Sequence, residues 1–70
     1  MSKEKQTIGE TIRKYRLQKE ISQDKLSKLA DVAFHTIVKI ESGNTPNPTI
    51  DTVKKIADAL GVSVDELLKN

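Results

Sequence analysis

Cysteine is absent from this sequence and aromatic residues are nearly absent, and each absence excludes classes of protein. Without cysteine there is no disulfide framework and no thiolate metal site, so the fold must be stable without cross-links. With one Phe, one Tyr and no Trp, the core must consist of Ile, Leu, Val and Ala. Modules that stack single-stranded RNA bases on aromatic rings are therefore disfavoured.

Long hydrophobic runs and secretion signals are also missing. No stretch reaches the roughly 18 apolar residues of a membrane span, and no charged and then apolar leader occurs. We therefore expect a cytoplasmic protein without a membrane partner. One His and no Cys predict no metal site, and the lack of a Gly-rich phosphate loop or paired carboxylates predicts no enzyme activity, cofactor or small-molecule ligand.

The basic residues are concentrated in the N-terminal half of the chain. Residues 1–30 contain eight Lys and Arg against four Asp and Glu, whereas residues 31–70 contain four against six. The 70 residues suffice for one domain, and this uneven charge suits a domain with one surface facing DNA. We expect residues 1–6 to form a flexible arm and residues 7–70 to form the domain.

Capping residues and apolar periodicity predict five helices. Thr7 and Glu10 form a capping box, as do Ser63 and Glu66, and Ser22 and Thr49 are good N-caps. Apolar residues then recur at helical spacing, including Leu26, Leu29 and Ala30 in the second helix and Ile50, Val53, Ile56, Ala57 and Leu60 in the fourth. The predicted helices cover residues 8 to about 19, 23–30, 33–42, 50–60 and a short segment after residue 63. Helices 2 and 3 are short and closely joined, so they must cross steeply.

Five fragments, in this order and at this spacing, resemble the DNA-binding domain of the phage repressor and Cro (XRE-like) family. They are Ile8-Gly9 with Ile12, Arg13 and Arg16; Ser22-Gln23 with Leu26; residues 36–43; Pro48-Thr49-Ile50; and residues 59–68. The resemblance implies an all-α, compact five-helix lambda-repressor-like domain with its helix-turn-helix at helices 2 and 3. It also implies a transcriptional repressor that binds double-stranded DNA as a weak homodimer, with helix 3 reading a palindromic operator.

Four positions depart from the pattern of that family. Asp31 and Glu20 stand where glycine is common, so we expect left-handed backbone at both, which Asp tolerates better than Glu. Ala33 replaces a capping Ser or Thr, which leaves helix 3 less well capped. Ser27 stands where a small residue, usually Ala, is expected; Ser is small enough, and its hydroxyl can bond the i−4 carbonyl.

The outer face of helix 3 carries the candidate base-reading residues. At about 100° per residue with Ile37 inward, His35, Lys39 and Ser42 point away from the core. By resemblance, the base-reading positions are Ala33, Phe34, His35 and Lys39. Lys39 can donate to guanine O6 and N7. Phe34 either presses on a thymine methyl group or packs at the margin between helices 2 and 4.

Candidate phosphate contacts surround that helix. Resemblance assigns this role to Gln23, at the positive end of helix 2. Further polar candidates are Ser22, Thr36, Asn44, Thr45, Asn47 and Arg13. We expect Lys39→Ala to lose sequence preference and Gln23→Ala to weaken binding more uniformly.

Arg16 and Glu41 are charged residues on or beside apolar stripes, which predicts that they form a partly buried ion pair. The resemblance implies that this pair joins helices 1 and 3 and orients helix 3.

The short terminal helix has more apolar surface than it easily buries, at Val64, Leu67 and Leu68. They either form part of a dimer contact or complete the monomer core.

The alternative to DNA binding is a protein-interaction or antitoxin-type module that uses Phe34, Val38 and Leu17.

Overall fold

The computed structural model describes residues 7–68, and these residues form five helices and no strand. The helices are α1 (Ile8–Gln18), α2 (Gln23–Ala30), α3 (Phe34–Ser42), α4 (Ile50–Leu60) and α5 (Val64–Leu68). The predicted all-α, five-helix class is therefore confirmed. The predicted arm, residues 1–6, lies outside the described residues.

The helices begin where their capping residues predict, with one exception. In α1, Thr7 Oγ1 accepts from the Glu10 amide and the Glu10 carboxylate accepts from the Thr7 amide, both at 3.1 Å. Ser22 and Thr49 accept from Lys25 N and Thr52 N. Helix α3 begins one residue later than predicted, because Ala33 has extended backbone and offers no side-chain cap. Helix α3 thus starts without the hydrogen bond that a Ser or Thr would supply.

The core lies where all five helices meet. Helix α1 packs on α3, α2 packs on α3 and α4, and α5 closes the core against α1 and α4. Its largest fully buried side chains are Ile12, Leu26, Ile37, Ile40, Ile56, Leu60 and Leu67. The two helices of the predicted helix-turn-helix therefore rest on a common apolar base, which holds α3 against the rest of the domain.

Two residues assigned to apolar stripes are exposed. Leu29 is 53% exposed because α2 buries the face of Leu26, Ser27 and Ala30, and Leu29 lies about 100° from Ala30, near the middle of that face. Ile50 is 66% exposed because it opens α4, whose buried residues begin only at Val53. The stripe prediction was wrong at these two positions.

Left-handed backbone occurs at both positions where it was predicted. Glu20 has φ 57° after α1, and Asp31 has φ 59° as the C-cap of α2. The Asp31 turn redirects the chain between α2 and α3, and Val32 N donates to Ser27 O at 3.0 Å across it.

The Ser27 hydroxyl donates to the Asp24 carbonyl at 2.7 Å. This is the carbonyl of residue i−3, whereas the sequence predicts that of residue i−4.

Gly9 lies at a close approach of α1 to α3. A Cβ atom on Gly9 would overlap the Ile40 carbonyl oxygen and lie 2.9 Å from the Ile40 carbonyl carbon and 3.1 Å from Glu41 Cα. These are backbone atoms, so no side-chain rotation can relieve the overlap. The absence of a side chain at Gly9 therefore sets the distance between α1 and α3.

No helix within residues 7–68 is both long enough and apolar enough to cross a membrane.

Candidate nucleic-acid interface

Helix α3 has one buried face and one exposed polar face. Ile37 and Ile40 are buried in the core, whereas His35 and Lys39 are exposed. Ser42 is exposed at the end of the helix, and the flanking side chains of Thr36 and Val38 are half-buried. The surface opposite the core therefore presents hydrogen-bonding groups along the length of α3.

The start of α3 presents an apolar ring next to that polar face. Phe34 is 43% exposed, and its ring centroid lies 6.1 Å from that of His35 with the planes tilted by 52°. Ala33 precedes them as an exposed N-cap residue. The four candidate base-reading residues therefore all lie on the exposed surface of α3 and its N-cap.

The loop after α3 folds back onto the end of the helix. Thr45 N donates to the Lys39 carbonyl at 3.1 Å, and Ser42 Oγ donates to the same carbonyl at 3.1 Å. Asn44 N donates to Ser42 Oγ at 3.4 Å. Asn44 is exposed and Thr45 is half-buried, and these hydrogen bonds place both at the C-terminal end of α3. Asn47 is exposed farther along the loop, where it lines a groove with Ile50 and Leu68.

The remaining phosphate candidates lie on other elements. Ser22 is exposed, but its hydroxyl oxygen already serves the N-cap of α2. Thr36 is half-buried on the flank of α3. Arg13 is exposed on α1 and lines a shallow cavity there with Glu10, Lys14 and Leu17.

Arg16 and Glu41 form a buried, two-point ion pair between α1 and α3. Arg16 Nε donates to Glu41 Oε2 at 2.7 Å, and Arg16 Nη2 donates to Glu41 Oε1 at 3.0 Å. Arg16 Nη1 also donates to the Ile21 carbonyl at 2.9 Å. The side chain of Glu41 is only 4% exposed. This geometry fixes the last turn of α3 against α1.

Gln23 joins the same carboxylate from a third helix. Its Nε2 donates to Glu41 Oε1 at 3.0 Å, and the residue is half-buried at the first position of α2. The sequence assigned Gln23 to DNA phosphate and gave no indication of this contact. Gln23 and Glu41 are 18 residues apart, so only the packing of α2 against α3 brings them together.

The candidate dimer residues of α5 have different surroundings. Leu67 is 1% exposed, so of the two alternatives it completes the monomer core. Val64 packs half-buried against the same core, and only Leu68 is largely exposed. Leu68 and Ile50 line an open, largely apolar groove of about 390 Å³ where the start of α1, the loop after α3, the start of α4 and the end of α5 come together. Sequence reasoning missed Ile50 as a surface residue because its position fits the apolar period of α4.

Among residues 7–68, no group of three or more His, Cys, Asp or Glu side chains is placed to hold a metal ion.

Comparisons with known proteins match this geometry to DNA-binding regulators. Residues 12–67 match the helix-turn-helix family. The HTH-type transcriptional regulator SinR of Bacillus subtilis is 38% identical over 61 residues, which are 87% of this chain and 55% of SinR. The chain therefore spans about half the length of that relative.

Two structures of similar proteins contain DNA. SinR, the master regulator for biofilm formation, in complex with DNA has a TM-score of 0.86 and 37% identity, over 89% of this chain and 98% of that one. The P22 c2 repressor in complex with a synthetic operator has a TM-score of 0.83 and 34% identity, over 93% of this chain and 97% of that one. The matched residues 12–67 include both helices of the motif, the intervening turn and the buried ion pair. This chain therefore belongs to the helix-turn-helix family, as a domain of the Cro and phage repressor type.

Proposed function

We propose that this chain binds double-stranded DNA at specific sequences and acts as a transcriptional repressor without enzymatic activity. The observation that carries the proposal is the exposed polar face of α3, set on the fold of two regulators whose structures contain DNA. An α-helix fits the B-DNA major groove, which is about 12 Å wide. Helix α3 enters that groove with its buried face of Ile37 and Ile40 turned toward the protein.

The exposed side chains of α3 have complementary roles in base recognition. The Lys39 ammonium donates to guanine O6 and N7, and the His35 imidazole bonds a base edge or a phosphate. The exposed ring of Phe34 contacts a thymine methyl group, with Ala33 beside it. The exposure of Phe34 supports this role over packing between α2 and α4. Helix α3 therefore combines polar and apolar readout.

Contacts to the DNA backbone come from both sides of α3. Ser22 and Gln23 approach one phosphate group from the start of α2, and Thr36 approaches from the flank of α3. The loop residues Asn44, Thr45 and Asn47 follow α3 directly. Arg13 on α1 adds a positive charge, which makes affinity sensitive to salt. These contacts place α3 in the groove without reading sequence.

Replacing Lys39 with alanine tests the reading face. We expect Lys39→Ala to reduce the preference for the selected duplex over a scrambled one by about tenfold or more, since a good base contact contributes about 1–3 kcal/mol. The preferred duplex is first selected from a random pool, and affinities are measured by fluorescence anisotropy at several salt concentrations.

Lys54→Ala is the matched control because it removes the same charge from an exposed position on α4, which packs on α1, α2 and α5. This variant should keep the preference. Equal loss of preference in both variants, or no duplex preference in the unaltered chain at low salt, would contradict the proposed function.

We also propose that the groove at Ile50 and Leu68 joins two copies of the domain in a weak dimer. Two-fold dimers of this type bind half-sites about one helical turn, roughly 34 Å, apart on one face of the duplex. A two-fold contact is made by the same patch on both partners, so Ile50 and Leu68 of each copy contribute four apolar side chains to the interface. The groove adjoins the loop that leaves α3, so dimerisation there fixes the separation of the two reading helices.

Ile50→Asp is expected to abolish self-association in sedimentation equilibrium while the monomer stays folded. Ile50 is exposed in the monomer, and an acidic residue suits the first turn of a helix. Leu29→Asp changes another exposed apolar residue, on α2 and outside the groove, and should leave self-association unchanged. The dimer surface is elsewhere if Ile50→Asp associates as the unaltered chain does.

A further inference from the structure

The Glu41 carboxylate is held by side chains from two other helices. Arg16 of α1 donates two hydrogen bonds to it, at 2.7 and 3.0 Å, and Gln23 of α2 donates a third at 3.0 Å. Glu41 itself belongs to the last turn of α3. One carboxylate therefore ties α1 and α2 to the helix that we propose reads DNA.

The chemistry of these groups fixes which way the Gln23 amide points. An ionised carboxylate only accepts hydrogen bonds, so the NH₂ group of Gln23 must face Glu41 and its carbonyl oxygen must point away. The NH₂ group has two N–H bonds, and Glu41 uses one of them. The second N–H is available to another acceptor at the half-buried first position of α2. A phosphate oxygen, which also only accepts hydrogen bonds, is a suitable acceptor for that N–H.

We propose that Gln23 is a positioning residue that links a DNA phosphate to Glu41 and thereby sets the orientation of α3. This inference rests on the proposed DNA binding and deepens it. A residue that only anchors phosphate changes the affinity for every sequence by the same factor. A residue that also holds Glu41 changes how well α3 meets the bases, so its loss lowers sequence discrimination as well as affinity. This differs from the uniform loss that the sequence predicts for Gln23.

Gln23→Met separates the two roles because Met is close to Gln in length and flexibility but has no N–H to donate. We measure the ratio of the dissociation constants for a scrambled and a preferred duplex, with the protein shown to be folded at the working temperature. We expect Gln23→Met to lower this ratio about fivefold, since residues that share a network couple in this range. The effect of Lys39→Ala on the ratio should also be smaller in the Gln23→Met background than in the unaltered chain.

Thr45→Val is the control, since Thr45 is a candidate phosphate contact with no side-chain hydrogen bond to Arg16, Gln23 or Glu41. It should weaken the binding of both duplexes by the same factor and therefore leave the ratio unchanged. Equal weakening of both duplexes by Gln23→Met, with Lys39→Ala keeping its full effect, would overturn the positioning role and leave the proposed function intact. An unaltered chain that prefers no duplex would instead overturn the proposed function.

Discussion

Gly9→Ala is expected to lower the free energy of unfolding by about 3 kcal/mol or more, the upper range for overpacking a dense core. The added Cβ would overlap the Ile40 carbonyl oxygen, so α1 and α3 would have to separate. A domain of this size has little stability in reserve, on the order of 0.1 kcal/mol per residue. Urea unfolding followed by far-UV circular dichroism measures the loss. Since the displaced backbone belongs to α3, any folded fraction should also bind its preferred duplex less selectively.

Gly43→Ala is the control for the Gly9 substitution. Gly43 has φ 90°, and a Cβ atom there would meet nothing within 4 Å. Its replacement therefore strains only the local backbone, at a cost of about 1–2 kcal/mol. Both variants remove one glycine from the unfolded chain, so that contribution cancels, and a larger loss in Gly9→Ala than in Gly43→Ala reports the collision with Ile40. The close approach of α1 and α3 would be disproved if Gly9→Ala were no less stable than Gly43→Ala.

Glu41→Leu is expected to destabilise the domain by about 3–5 kcal/mol, because it leaves the Arg16 guanidinium buried without its counter-charge. Arg16→Met should have a similar effect, since it leaves the Glu41 carboxylate, 4% exposed, without its cation. The double variant should recover much of this loss, because two apolar side chains need no partner. Chemical denaturation of all four proteins completes a double-mutant cycle for the pair.

The exposed pair of Asp24 and Lys28 supplies the comparison. These groups lie 3.1 Å apart on α2 with side chains 60% and 74% exposed, so Lys28→Ala should cost less than about 1 kcal/mol. Single variants of Arg16 and Glu41 that are no less stable than Lys28→Ala would show that the buried pair is dispensable. If the double variant folds, its duplex preference measures what the pair contributes to orienting α3.

Features that depend on a single helix could be predicted from the sequence. The capping boxes at Thr7 and Ser63 involve residues three apart, so their hydrogen bonds form wherever the helix begins. The outward direction of His35 and Lys39 follows from the helical period once Ile37 is buried. One contact between helices, that of Arg16 with Glu41, could also be inferred because two charges on apolar faces can be buried only together.

Other features that depend on how helices meet could not be predicted. Glycine destabilises the interior of a helix, so the sequence gives no reason for Gly9 in α1. Only the position of the Ile40 carbonyl explains why no side chain can be present there. Gln23 follows an N-cap residue in an ordinary first turn, and only the crossing of α2 and α3 brings its amide to Glu41.

The helical period likewise did not decide which apolar residues are buried. Ile50 and Leu67 both fit apolar stripes, yet Ile50 is exposed at the start of α4 and Leu67 is buried where α5 meets α1 and α4. By itself, the sequence determined the five helices, their caps and the polar face of α3, because these depend on neighbours along the chain. The tertiary structure decided the distance between α1 and α3, the partner of Gln23 and the surface left at Ile50 and Leu68. Burial and close approach depend on what lies opposite a residue, and a one-dimensional pattern does not contain that information.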